Sequence, residues 1–221
     1  MDDMNRHQLL FAQLLVGGNL VFSHVLADPS VDADQRDAES LRPLLNSQRI
    51  ERIFGSYEIE VLKNGPELRV SDLHSFAEGI PTTRTLALVT YDEKIDQELT
   101  DEHRMIVRGS SIGEVFLNKA WVVEKENRYF GEIEASADYA PLYKRMGDIE
   151  PASLAVHIYE LFVRKGDLRL HYADIAEVHH PEYFDLDDLH EIYAEFFEEN
   201  RQADADIEQT LELLKTEMKS I

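Results

Sequence analysis

The chain contains no cysteine. That removes disulfides, thiolate nucleophiles, zinc–thiolate sites and iron–sulfur ligation together, and it fits a cytoplasmic protein. Positive charge is also scarce. Lys and Arg number 22 against 44 Asp and Glu over 221 residues, a formal net charge of −22. Nucleic-acid affinity rests on Lys and Arg displacing counterions, so this balance argues against a nucleic-acid partner and equally against docking on an anionic membrane. The phosphate-cradling patterns G-x-x-x-x-G-K-[ST] and G-x-G-x-x-G are missing, as are G-x-S-x-G and H-E-x-x-H. No internal repeat of 20–50 residues is present. The one long apolar run, residues 9–27, is interrupted by Gln13, Gly17, Gly18, Asn19, Ser23 and His24 and follows an acidic start. It predicts a core-facing helix broken near Gly17-Gly18 rather than a membrane span or a signal peptide.

What is present suits a globular chain. Apolar residues make up 43%, enough for a real core, and the length predicts one compact domain with helical additions. Residues 28–40 (DPSVDADQRDAES) read as an acidic linker, and residues 41–54 as a helix stopped by Gly55. From residue 57 the period changes to two. Tyr57-Glu58-Ile59-Glu60-Val61 alternates, Asn64-Gly65 is a hairpin turn, and Leu68-Arg69-Val70 is the return strand. Residues 82–91 predict another strand, 96–119 a broken helical stretch, and 121–123 and 129–133 two strand segments. Residues 139–146 predict a short helix closed by Gly147. Residues 154–163 and 168–178 form the clearest hairpin, ended by Pro181.

From Leu186 an acidic amphipathic helix is expected, with Leu189, Ile192, Tyr193, Phe196, Ile207, Leu211, Leu214 and Met218 on one face. Residues 182–221 hold thirteen acids against three bases. This helix packs on its own domain with a solvated acidic face, or forms the interface of a homodimer or a partner complex. The fold class is therefore α+β: an antiparallel sheet with short helices packed on it, N-terminal helices and a long C-terminal acidic helix. The expected divisions are 1–42, 43–184 and 185–221.

Two constellations carry possible chemistry. By alternation, Arg84 shares a strand face with Leu86, Leu88 and Thr90. A guanidinium on an apolar face needs an anion, either an internal carboxylate or that of a ligand. In Tyr172-Ala173-Asp174, an inward Asp174 beside the Tyr172 ring would have a raised proton affinity and could act as an acid or an acceptor. The neighbouring Glu177, His179 and His180 could join Asp174 around a metal, but strand alternation sends them to opposite faces, so no metal and no other cofactor is expected.

The ordered set of these segments resembles the chorismate lyase (chorismate–pyruvate lyase) family, whose fold also serves as the ligand-sensing domain of GntR-type regulators. The likeness runs over residues 43–184. The hairpin from Tyr159 through Arg164-Lys165-Gly166-Asp167 to Asp174 and His180-Pro181-Glu182-Tyr183 is similar to the family's closing hairpin. Ser111-Ile112-Gly113-Glu114-Val115-Phe116 resembles a short helix start, and Arg84-Thr85-Leu86-Ala87-Leu88 the strand whose Arg holds the substrate carboxylate. The resemblance implies elimination of pyruvate from chorismate or a related enolpyruvyl acid. Asp174 would stand at the family's catalytic Glu, and Arg84, Gly113 and Tyr172 would contact a small carboxylate ligand. The alternative is a non-catalytic member that binds a small ligand or a partner protein.

Overall fold

The computed structural model describes residues 36–193 and 204–221; the helix expected at 9–27, most of the 28–40 linker and Phe196 lie outside them. Pro43, which has no N–H to donate, splits the expected 41–54 helix. Ala38–Leu41 forms one turn (α1) and Asn46–Phe54 forms α2. Gly55 stops α2 in the left-handed region at φ 73°, a conformation that costs glycine little. Strands β1 (Glu58–Asn64) and β2 (Leu68–Ala77) flank the Asn64-Gly65 turn. β2 runs well past Val70 because its polar residues find buried partners. Asp72 accepts from Thr83 Oγ1 at 2.7 Å and from Arg145 at 3.1 Å, and Ser75 Oγ accepts from Arg84 at 2.8 Å.

β3 spans Ile80–Tyr91. A 3-10 turn, Gln97–Leu99, leads into α3 (Thr100–Val107), followed by α4 (Ile112–Asn118). The two strand segments expected between 121 and 133 are one strand, β4 (Val122–Glu134). The turn Ala137–Tyr139 precedes α5 (Ala140–Arg145), and the expected hairpin is β5 (Ser153–Lys165) with β6 (Leu168–His179). The acidic C-terminal stretch contains α6 (Leu186–Ile192) and the 16-residue α7 (Ala205–Ser220). No helix among the described residues is long and apolar enough to cross a membrane.

The six strands form one antiparallel sheet in the order β1-β2-β3-β6-β5-β4. The protein is α+β, and both faces of the sheet are covered. On one face Val70, Leu86, Leu88, Val156, Ala176 and Val178 pack with Leu142 of α5 and with Ile207, Leu214 and Met218 of α7. Each of these Val, Leu, Ile and Met side chains contributes roughly 1.5–3 kcal/mol on burial. The apolar stripe of α7 is thus used within the chain; Asp206, Glu208 and Glu212 face solvent, while Glu217 is buried and pairs with Lys63 at 2.6 Å. On the other face Val89, Tyr159, Leu161 and Ile175 lie with Ile106 of α3 and Phe116 of α4. Beside them Leu73 and Ala87 lie with Ile50 of α2 and with Tyr183, Leu189 and Tyr193.

Four β-bulges decide which side chains reach which face. Leu62, Arg84, Arg128 and Tyr172 are each skipped in the pairing register of their strands. An extra residue breaks the two-residue alternation, so side chains before and after it no longer follow simple parity.

Candidate functional site

All six strands contribute residues to the wall of one partly open cavity of about 90 Å³. Ile59 comes from β1, Arg69, Ser71 and Leu73 from β2, and Ala87 and Val89 from β3. Ile175 and Glu177 come from β6, Tyr159 and Leu161 from β5, and Val123 and Lys125 from β4. Tyr57 adds to this wall, and Leu45, Asn46 and Ser47 at the start of α2 with Ser111, Ile112 and Gly113 at the start of α4 complete it. Most of the lining is aliphatic or aromatic. Three charged groups stand out against it.

Arg69 is buried, with 1% of its surface exposed. Nε donates to Ser71 Oγ at 2.8 Å, and Nη1 donates to the carbonyls of Ile106 and Ser110, each at 2.9 Å. These bonds fix the fork against β2 and the end of α3. Nη2 is shut off from solvent, and burial pushes the neighbouring Tyr91 hydroxyl up against the opposing charge of the guanidinium and a hydrogen bond from it. No carboxylate among the described residues pairs with this guanidinium.

Lys125 presents the second charge. Its Nζ is likewise buried without a hydrogen bond and lies 4.1 Å from the centre of the Tyr159 ring. Glu177 supplies the third. Its Oε1 accepts from Asn46 Nδ2 at 3.0 Å and from the Tyr159 hydroxyl at 3.1 Å. Burial alone would raise the Glu177 pKa. The charge of Lys125, then that of His179, then the bonds from Asn46 and Tyr159 overcome it, and the carboxyl titrates below its ordinary value. Behind it, His179 Nδ1 sits 3.0 Å from Thr85 Oγ1, and burial pushes its pKa down to about 4. Burial also pushes the Tyr159 hydroxyl well above its ordinary value. Around neutral pH the cavity therefore holds two cations and one anion in a mainly apolar space.

Of the residues picked from the sequence, Gly113 lies on this cavity. A Cβ at Gly113 would meet Leu45 Cδ1 at 2.7 Å, so the missing side chain lets α4 close against Leu45. Tyr172 is fully buried beside Tyr91 and Phe116, its hydroxyl 3.0 Å from His103 Nδ1. Arg84 and Asp174 do not share a hollow. Arg84 lies over the Phe54 ring at 3.8 Å, donates to Ser75 and pairs with Glu182 at 3.2 Å. Its anion is internal. Asp174 lies on the opposite sheet face beside Glu160 and α7, with its side chain 49% exposed.

The bulges explain both departures from the expected hollow. Arg84 is itself an extra residue, so it does not follow Leu86 and Leu88. Tyr172 is another, so its face does not predict that of Asp174. Asp174, Glu177, His179 and His180 do not converge on one metal either. Glu177 faces the cavity, His179 faces Thr85, and His180 Nε2 lies 2.9 Å from the Met146 carbonyl.

Arg69, Lys125 and Glu177 were not singled out from the sequence. Arg69 carries the same signal as Arg84, a guanidinium between apolar strand residues, here Leu68 and Val70. Glu177 differs in face from Asp174 by simple parity. Lys125 is hidden in the charged run Glu124-Lys125-Glu126-Asn127-Arg128, which hardly reads as a strand.

No protein-family model matches the chain, and no curated protein does. Among solved structures it is similar to the C-terminal domain of the histidine utilization repressor from Pseudomonas syringae pv. tomato str. DC3000. That likeness has 12% identity, covers 67% of this chain and 100% of that one, and has a TM-score of 0.35. A likeness of that size says nothing of the ligand. The chain's own architecture and side chains define its class: an α+β protein with a partly open, charged-and-apolar cavity on one face of its sheet.

Proposed function

We propose that this protein binds a small, largely apolar organic acid in the cavity between the sheet and the starts of α2 and α4. The observation that carries the reading is the buried Arg69 guanidinium on the cavity wall, which has no carboxylate partner among the described residues. A buried guanidinium without an anion is costly. A ligand carboxylate would meet it, with Lys125 as a second cationic neighbour. On the far wall, Glu177 is held ionised and would accept a hydrogen bond from a ligand O–H or N–H. Two cations and one anion leave one positive charge, which suits a monoanion.

A second reading, elimination of pyruvate from chorismate or a related enolpyruvyl acid, is favoured by one observation: the two cations could engage a dicarboxylate. In that reading Arg69 takes the carboxylate role expected of Arg84, and Glu177 that expected of Asp174. The test is ligand-observed NMR with benzoate, 4-hydroxybenzoate and chorismate, together with a lactate-dehydrogenase-coupled assay for pyruvate. Binding of an aromatic acid without pyruvate release supports the first reading, and enzyme-dependent pyruvate supports the second. No binding and no turnover across the set would remove both.

A further inference from the structure

The other sheet face carries a second constellation. Glu160 of β5 and Asp174 of β6 are directly paired across the ladder. Like charges in that position destabilise a sheet unless a cation offsets them. His171 precedes Asp174 by three residues and would point to the opposite face of a regular strand. Because Tyr172 between them is the extra residue of a bulge, His171 is brought to the same side. One ligand atom from each of Glu160, His171 and Asp174 then lies within 4.8 Å of the other two. The imidazole is also oriented. Asp92 holds Nδ1 through both carboxylate oxygens, at 3.0 and 3.1 Å. Nε2 is shut off from solvent and pairs with Asp174 Oδ1 at 3.4 Å, so a bound metal ion would take the place of the proton between them. A carboxylate behind one ring nitrogen, with the other aimed at further carboxylates, is the usual outer arrangement of a metal-binding histidine.

We propose that Glu160, His171 and Asp174 bind a divalent first-row metal ion, with Zn²⁺ as the best match to one imidazole and two carboxylates. Three protein donors leave coordination open for water or another ligand. Glu160 and Asp174 border a space of about 840 Å³ between the sheet and α7, where Thr90, Asp206 and Thr210 also lie. Arg128 pairs with Glu160 at 2.6 Å and with Asp204 at 3.4 Å, so it competes for Glu160. The local carboxylates Asp92, Glu160, Asp174, Asp204 and Asp206 outnumber it, and a chain of charge −22 concentrates cations around itself.

The experiment is calorimetric titration of Zn²⁺ alone into the full chain after EDTA treatment and buffer exchange, with Mn²⁺ as a comparison. Wild type is expected to take one equivalent of Zn²⁺. His171→Ala and Asp174→Asn each weaken it by about 10-fold or more, and Asp187→Asn, an exposed acid of α6, leaves it unchanged. Circular dichroism verifies folding of each variant, and Glu160→Gln replaces any that does not fold. Absence of zinc binding by wild type, wild-type affinity in both site variants, or equal weakening by Asp187→Asn would each overturn the assignment.

Discussion

Lys125→Met tests the electrostatics of the cavity in the most detail. Glu177 is buried, and burial by itself raises a carboxyl pKa. The first influence opposing it is the charge of Lys125. Methionine keeps the length of the side chain and removes that charge. The Glu177 pKa is then expected to move from below its ordinary value to above it, because burial, the largest influence, is opposed only by the weaker effects of His179, Asn46 and Tyr159. Removing one partner of a buried charge interaction costs about 3–5 kcal/mol, and each unit of pKa displacement is worth about 1.4 kcal/mol. The sign follows from proton linkage. In wild type the depressed Glu177 pKa gives stability that is present above the ordinary carboxylate pKa and lost as pH falls through the folded value. In the variant the raised pKa gives stability that is present at low pH and lost as pH rises. The stability gap between the two proteins is therefore widest near pH 7.5 and narrows toward pH 5. Lys125 also depresses His157 and His179, so its removal eases their acid penalty and narrows the gap in the same direction. Urea unfolding at the two pH values gives the gap, and carbon-13 NMR of the glutamate carboxyls gives the titration. A gap independent of pH, together with an unshifted Glu177 resonance, would refute the reasoning.

Other outcomes follow from the same geometry. His179 has its pKa lowered to about 4 from an ordinary 6.5; its contribution is complete above about pH 6.5 and lost as pH falls toward 4. Urea unfolding of wild type should show roughly 3 kcal/mol of acid destabilisation from this group, and His179→Gln should flatten that slope. Gly113→Ala forces Leu45 to move from a 2.7 Å contact. NMR titration with 4-hydroxybenzoate should show changed affinity, and Leu45→Ala in the same chain should restore it. Leu214→Ala empties a buried position under α7 and should cost about 2–5 kcal/mol in urea unfolding; size-exclusion chromatography should show an unchanged oligomeric state, since this face of α7 is used within the chain.

The fold was largely legible because its local signals agree. Asn64-Gly65 marks the first hairpin, Gly55 and Gly147 mark helix ends, and the alternation of residues 154–163 marks β5. The middle of β2 was hidden because Ser71, Asp72, His74 and Ser75 are polar yet buried; Thr83 and Arg145 meet Asp72, the bulge-placed Arg84 meets Ser75, and Arg69 meets Ser71. The site was less legible for a related reason. Which face a strand residue occupies is read by counting in twos, and the bulges at Arg84 and Tyr172 break that count at the two positions the reading used. Gly113, named through the family resemblance, lies on the cavity wall at the start of α4. The pairing of Arg69, Lys125 and Glu177 depends on a six-strand order that no local segment encodes.

Calorimetric titration of 4-hydroxybenzoate into wild type and Arg69→Met tests the central claim most directly. The account predicts binding to wild type and a loss of about 2–5 kcal/mol in the variant, since its carboxylate would lose the partner that Nη2 supplies. Equal affinity in the two folded proteins, or binding that persists when Glu177→Gln is added to Arg69→Met, would contradict it.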